Sequence, residues 1–188
     1  DETDFKDKLF VPEMVEHVRS LGKKAIAWNP GWSFKSKEVD LLHLWSSKGR
    51  IVYGTPAIDS RYHYLNHYDL FADIQMLYSS KILGVTASNT NVMGAILAVW
   101  NDRYVESPRT IMQENAVYPN MLALAERAWL GGGAGYFNAS AAALSPEVSP
   151  ETREAFVDFE RRLLWHKDRV FASEPFPYVA QSHAQWYI

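Results

Sequence analysis

Gly94-Ala95-Ile96-Leu97-Ala98-Val99-Trp100, running into the polar Asn101-Asp102-Arg103, is the stretch that decides the fold class. A strand with one wet face alternates apolar and polar residues, whereas a strand covered on both faces, as in a parallel sheet, is apolar throughout. The segment is therefore expected to be a buried parallel strand ending at Trp100.

Outward from it, other segments read as strands and helices in turn. Phe10, Met14, Val18 and Leu21 fall at helical spacing, Pro12 suits a first turn, and Gly22 is placed to end the helix. Lys23-Lys24 leads into Ala25-Ile26-Ala27-Trp28, a short buried strand closed by Asn29-Pro30-Gly31. Val39 to Trp45 and Arg50 to Gly54 are the next strand candidates. Only Ser46 to Gly49 separates them, too little for the helix that usually joins parallel strands, so this connection has lost its helix or folds irregularly.

Tyr68 to Tyr78 returns to helical spacing through Phe71, Ile74, Leu77 and Tyr78. Ser107-Pro108 opens another helix, and Met121 to Trp129 is strongly helical until Gly131-Gly132-Gly133. Residues 131–150, rich in Gly, Ala and Ser, read as a loop. Ser149-Pro150-Glu151 starts a last helix with Phe156, Phe159 and Leu163 on one face. Strands interleaved with helices place the chain in the α/β class.

The bulk numbers narrow its roles. At 188 residues the chain is one domain's length, short of the roughly 250 of a complete (β/α)8 barrel. The hydrophobic fraction of 47% and charged fraction of 22% fit a globular protein. A net charge of −3 with dispersed Lys and Arg leaves no basic stripe to follow a phosphate backbone, so no nucleic-acid partner is expected. No apolar run approaches the ~18 residues of a membrane span, and nothing resembles a signal peptide. Without cysteine, disulfides and thiolate metal sites are excluded. The six histidines lack metal-ligand spacing, so neither a metal nor a cofactor is expected.

Aromatic residues reach 14%, with seven Trp, and a large core would use them equally well. Position favours another role for three of them. Trp28, Trp45 and Trp100 each stand at the C-terminal end of an expected strand, where (β/α)8 enzymes gather their chemistry, and an indole suits the C–H face of a pyranose. Trp129, Trp165 and Trp186, on helices or in the tail, read as packing, and Trp32 is open to either role.

Several segments, in order, resemble the family-20 glycoside hydrolases, the β-N-acetylhexosaminidases. Asp1-Glu2 resembles the family's Asp-Glu pair after its fourth barrel strand. Gly22 to Trp28 resembles the fifth strand, and Leu44-Trp45 the end of the sixth. Tyr62-His63-Tyr64-Leu65-Asn66 resembles the Tyr-Leu-Asp motif after the seventh, and Gly94 to Asp102 the eighth with its Trp-x-Glu ending. Leu122 to Trp129 is similar to the eighth helix and is the most specific single stretch.

The resemblance implies the C-terminal half of a TIM (β/α)8 barrel, strands five to eight with their helices. Residues 1–130 would belong to the barrel, 131–150 to the loop, and 151–188 to a terminal helix and tail packed on it. The implied reaction is removal of terminal N-acetyl-β-hexosamine by substrate-assisted retention, in which the sugar's own acetamido oxygen attacks the anomeric carbon. Glu2 would be the acid and base, with a raised pKa. Asp1 would hold the acetamido N–H and Tyr64 would donate to the acetamido oxygen. Trp28, Trp45 and Trp100 would wall the sugar, with Asn66 and Asp102 on its hydroxyls. Asn66 stands where the family more often has Asp, and Asp102 where it more often has Glu.

The family's first four strands, its His-x-Gly-Gly approach and a sugar-gripping arginine have no counterpart here. The expectation is therefore an excerpt of a longer enzyme, inactive or very weak alone, whose remaining partner is the N-terminal half of the barrel. An extracellular, periplasmic or lysosome-like compartment would suit the parent. The alternative is a non-catalytic carbohydrate-binding module that kept the aromatic pocket.

Overall fold

Four short apolar segments form one parallel sheet in the order β1-β2-β3-β4: β1 Ile26–Asn29, β2 Leu41–Leu44, β3 Ala57–Asp59 and β4 Val92–Ala95. The structure is a computed structural model, and it describes residues 5–29, 39–46, 48–65, 74–82, 91–100, 106–108, 117–133, 150–173, 176 and 178–180. The chain divides into two compact units, Asp1–Tyr62 with Val85–Ile96 and His63–Gly84 with Leu97–Ile188.

The first unit holds the sheet. Side chains alternate across a strand, and the register sets Ala27 against Leu42 and Leu42 against Ala57. This row, with Leu44 and Asp59, lies on a fully covered face. Trp28, its partner His43 and the next partner Ile58 form the row on the opposite face. That second face is open: Ile26 and Trp28 are 57% and 46% exposed. The expected burial on both sides is therefore not what the strands adopt. None of Val92–Ala95 is buried, and among the described residues β4 is an edge strand of the sheet.

Two strand boundaries differ from expectation. Arg50 to Gly54 is not a strand: Gly54 takes φ +86°, Thr55 N–H donates to the Val52 carbonyl, and Tyr53 is 96% exposed. This turn delivers the chain to Pro56 and β3, so the short gap expected before a strand at Arg50 leads to no strand there, and the longer parallel β2–β3 connection has no helix among its described residues. The strand expected over Gly94 to Trp100 begins at Val92 and ends at Ala95, and a register shift falls between Ala57 and Ile58 opposite it.

Ahead of the sheet, a π-helical turn, Lys6–Phe10, leads into α1, Val11–Ser20, with Pro12 in its first turn. Gly22 at φ +70° ends the helix, its N–H donating to the Arg19 carbonyl. Only Val15 of α1 is buried, and the apolar stripe of Phe10, Met14 and Leu21 is exposed. Arg19 reaches Asp40 at 3.1 Å and Asp40 accepts the Ala25 N–H at 2.8 Å, fixing the approaches to β1 and β2. The Arg19 guanidinium holds the Asp40 carboxyl below its ordinary pKa.

The second unit is helical: α2 Ile74–Ser79, α3 Val117–Leu130 and α4 Pro150–Arg169. Non-helical backbone at Tyr118 (φ −100°, ψ 132°) precedes Pro119, as steric crowding before proline requires. Residues 66–73, 109–116 and 134–149, which carry parts of the expected helix over Tyr68 to Tyr78, the helix opening at Ser107 and the loop over 131–150, lie outside the described residues. Tyr78 is the hub of the core, stacked on Phe159 at 4.8 Å and edge-on to Phe156 at 5.5 Å. Phe156, Phe159 and Leu163 are buried, the α4 face expected from their spacing. Among the described residues no helix is long and apolar enough to cross a membrane.

Candidate aromatic site at the strand ends

The C-terminal ends of β1, β2 and β3 bring together two indoles and a polar cluster. Trp28 is the third residue of β1, and Trp45 directly follows β2; their ring centroids are 6.2 Å apart. The Trp45 N–H donates to the Asn29 carbonyl at 3.1 Å, and Asn29 Oδ1 accepts the Arg50 N–H at 2.9 Å. Gly49 allows this closure. A Cβ there would stand 2.7 Å from the Asn29 carbonyl oxygen and 3.0 Å from that of Ser46. The loop after β2 is thus pressed onto the end of β1, and Trp45 with it.

Beneath Trp28 lies His43, its register partner, with centroids 4.6 Å apart and rings tilted by 50°. His43 Nε2 is 2.7 Å from Ser60 Oγ. Ser60 is fully buried, its N–H donates to the Leu44 carbonyl at 2.8 Å, and its hydroxyl is 3.2 Å from the same oxygen. Asp59, also fully buried, receives Arg61 Nε at 2.9 Å and Nη2 at 3.2 Å, and its Oδ1 accepts the Arg61 N–H at 3.1 Å. Burial pushes the His43 imidazole below its ordinary pKa, against the opposing pull of Asp59. His43 is therefore neutral near pH 7.

In the second unit Tyr64 pairs with Trp100, centroids 6.5 Å apart and planes at 29°. An isolated parallel bridge from Tyr64 to Ala98 holds them: the Leu65 N–H donates to the Ala98 carbonyl at 2.9 Å, and the Ala98 N–H to that of His63 at 2.8 Å. Trp100 is 48% exposed, and His63 and Leu65 on either side of Tyr64 are buried.

No family model and no curated protein matches the chain.

Of the residues singled out from sequence, Trp28 meets Trp45 and Tyr64 meets Trp100. Asp1, Glu2, Asn66 and Asp102, as well as Trp32 and Trp186, lie outside the described residues. Trp129 is not packing: it is 89% exposed on the last turn of α3. Trp165 is 48% exposed, with the Arg169 guanidinium 4.2 Å above its ring. Helical spacing placed both on helices but does not say which side faces the core. Near Trp129, a cavity of about 310 Å³ lined by Leu122, Glu126, Phe159, Arg162 and His166 opens between α3 and α4.

The sequence reading missed His43, Asp59, Ser60 and Arg61. One signal was present: His43 is the single polar residue in Leu41-Leu42-His43-Leu44, and a polar side chain inside an apolar strand needs a partner. Nothing in the sequence named Ser60 as that partner.

Proposed function

We propose that the chain is the C-terminal half of the catalytic (β/α)8 barrel of a glycosidase that removes terminal non-reducing N-acetyl-β-hexosamine residues. One observation carries the reading. Trp28 and Trp45, at the C-terminal ends of adjacent parallel strands, are 46% and 38% exposed, although either indole would stabilise a core. Indoles left in water at the strand ends of a parallel α/β sheet suit the apolar face of a sugar ring. The open face of the sheet and the exposed stripe of α1 are the surfaces that the other half of a barrel would cover.

In this reading the substrate's acetamido oxygen attacks its own anomeric carbon while Glu2 protonates the leaving oxygen. Glu2 then takes a proton from the incoming water, so the configuration is retained. Asp1 accepts the acetamido N–H and Tyr64 donates its hydroxyl to the acetamido oxygen, which turns a weak nucleophile into a well-placed one. Trp28, Trp45 and Trp100 exclude water around the ring, and Asn66 and Asp102 hold its hydroxyls.

The test is hydrolysis of a chromogenic N-acetyl-β-glucosaminide by a protein carrying this chain within a complete barrel, beside its Glu2→Gln variant. A large loss in the variant is expected; equal rates would remove Glu2 from the chemistry. Tyr64→Phe should weaken binding of an N-acetylglucosamine thiazoline, a mimic of the cyclised intermediate.

One observation favours the second reading, a carbohydrate-binding module. Asp59, the described carboxylate at the strand ends, is fully buried and held by Arg61 through three hydrogen bonds, so it is turned away from any substrate. Sugar binding that is lost in Trp28→Ala, without hydrolysis by the complete barrel, would select the module.

A further inference from the structure

We infer that His43 is a positioning residue: hydrogen-bonded to buried Ser60, it forms a fixed ring beneath Trp28 that sets the angle of the indole presented to a sugar. The inference rests on the sugar-site reading for its ligand, but its geometry stands on three contacts. Trp28 and His43 are direct neighbours across the parallel register, so both side chains leave the same face of the sheet. Their centroids lie 4.6 Å apart, within the range of aromatic contact. The imidazole is tethered at Nε2, 2.7 Å from Ser60 Oγ.

The tether has a fixed base. Ser60 is wholly buried, and its backbone N–H is engaged by the Leu44 carbonyl at 2.8 Å, so the hydroxyl follows the sheet itself. A side chain pinned at its far end loses rotamer freedom, and a ring resting on it loses freedom in turn. Trp28 has two side-chain torsions, and His43 closes one side of it while Trp45 stands 6.2 Å away. What remains is a half-exposed indole with His43 tilted against one side, leaving apolar surface for the C–H bonds of a pyranose or the methyl of an acetamido group.

The device depends on charge. Asp59 is the last residue of the neighbouring strand β3 and is paired with Arg61, and β1 contributes Trp28 and Asn29 against His43, neither of which titrates. Protonating His43 would place a cation beside the indole and change its emission, a signal that a merely structural histidine far from Trp28 would not give.

The experiment uses this chain and its His43→Gln, His43→Phe and Trp28→Phe variants. Trp28 emission, taken as the difference between the chain and Trp28→Phe, is followed from pH 8 to pH 5. A step is expected with a midpoint below the ordinary histidine value of about 6.5. It should vanish in His43→Gln, which keeps a donor for Ser60 but does not titrate. A step unchanged in His43→Gln would overturn the assignment.

Binding of N-acetylglucosamine by a complete barrel carrying this chain, beside its His43→Gln and His43→Phe variants, is read by the same emission at pH 7.5 and supplies the second arm. His43→Phe keeps a ring but drops the tether and should bind roughly tenfold more weakly, the scale of one lost hydrogen bond. His43→Gln keeps the tether but loses the ring, so it should bind between the parent and His43→Phe. Equal binding by all three would refute positioning. If no sugar binds while the pH step behaves as expected, the sugar reading fails and the His43–Trp28 coupling stands.

Discussion

Arg127 holds the second unit together, and removing it should be the most damaging single change on α3. The side chain is only 7% exposed. Its Nε donates to the Tyr78 carbonyl, its Nη1 donates to the Gly131 carbonyl at 2.6 Å, and its guanidinium carbon lies 5.0 Å above the Tyr78 ring. One planar group thus joins the end of α2, the core aromatic and the end of α3. Burial pushes its pKa down, which marks the desolvation it bears. Hydrogen bonds from a charged donor contribute about 1.5–3 kcal/mol each, so Arg127→Leu forfeits about 3–6 kcal/mol for two. Relief of the buried charge returns part of this, leaving a net loss of about 3 kcal/mol.

At about 2–4 °C per kcal/mol for a chain of this size, Tm should drop by about 6–12 °C. Arg127→Lys keeps the charge but not the rigid fork, and should recover about half the loss. Urea denaturation followed by circular dichroism measures both variants. If each fell within about 0.5 kcal/mol of the parent, a range typical of surface substitutions, the three-way junction would not be what holds α2 and α3 together.

Four further outcomes follow from the same structure. His43 titrates lower when folded than unfolded, so its contribution is complete above pH ~6.5 and is lost as pH falls; the stability advantage of the parent over His43→Gln should shrink between pH 7.5 and 5 in urea titrations. Leu163→Ala, at a site 2% exposed, should cost about 2–5 kcal/mol. Trp129→Ala, at 89% exposure, should change stability by less than about 0.5 kcal/mol in the same assay. Glu126→Gln removes the charge and one of the two oxygens that accept from Arg162 at 2.7 Å, but the arginine is half exposed, so the loss should stay under about 1 kcal/mol and shrink further in 1 M salt.

Much of the α/β pattern was legible because apolar period and turn residues act locally. Gly22 ends α1 and Gly131 to Gly133 follow α3 as a sequence reading requires, since only glycine takes their positive φ without strain. The third strand was misplaced for a physical reason. Ile51-Val52-Tyr53-Gly54 is the more apolar run, yet it forms a turn, while Ala57-Ile58-Asp59 carries a charge that no pattern places in a core. Asp59 is tolerated there because Arg61, two residues on, folds back onto it. The His43–Ser60 pair was hidden for another reason: it joins residues 17 apart through a register that only the folded sheet defines. Trp28 and Trp45 were readable from their strand ends, whereas the ring beneath them was not.

The sizes of the side chains on the two faces of β1 bear on what the open face is for. Ala27 points to the covered side at 5% exposure, while Ile26 and Trp28 point to the open side at 57% and 46%. Ala57 repeats the choice on β3, wholly buried, with larger Ile58 opposite. Burying apolar area stabilises at about 25 cal/mol per Å², so a sheet shaped only for its own stability would turn its large residues inward. On β1 and β3 the small residues are inside and the larger ones open, whereas β2 turns Leu42 and Leu44 inward. Two kinds of cover are separable by height along the strand. Ile26 begins β1 and has no polar group beside it in the strand, so its natural cover is more protein, as the other half of a barrel would provide. Trp28 stands near the strand's C-terminal end, flanked by Asn29 and against His43, and under the proposed sugar-site reading its cover would be a ligand with one apolar face and hydroxyls at its rim.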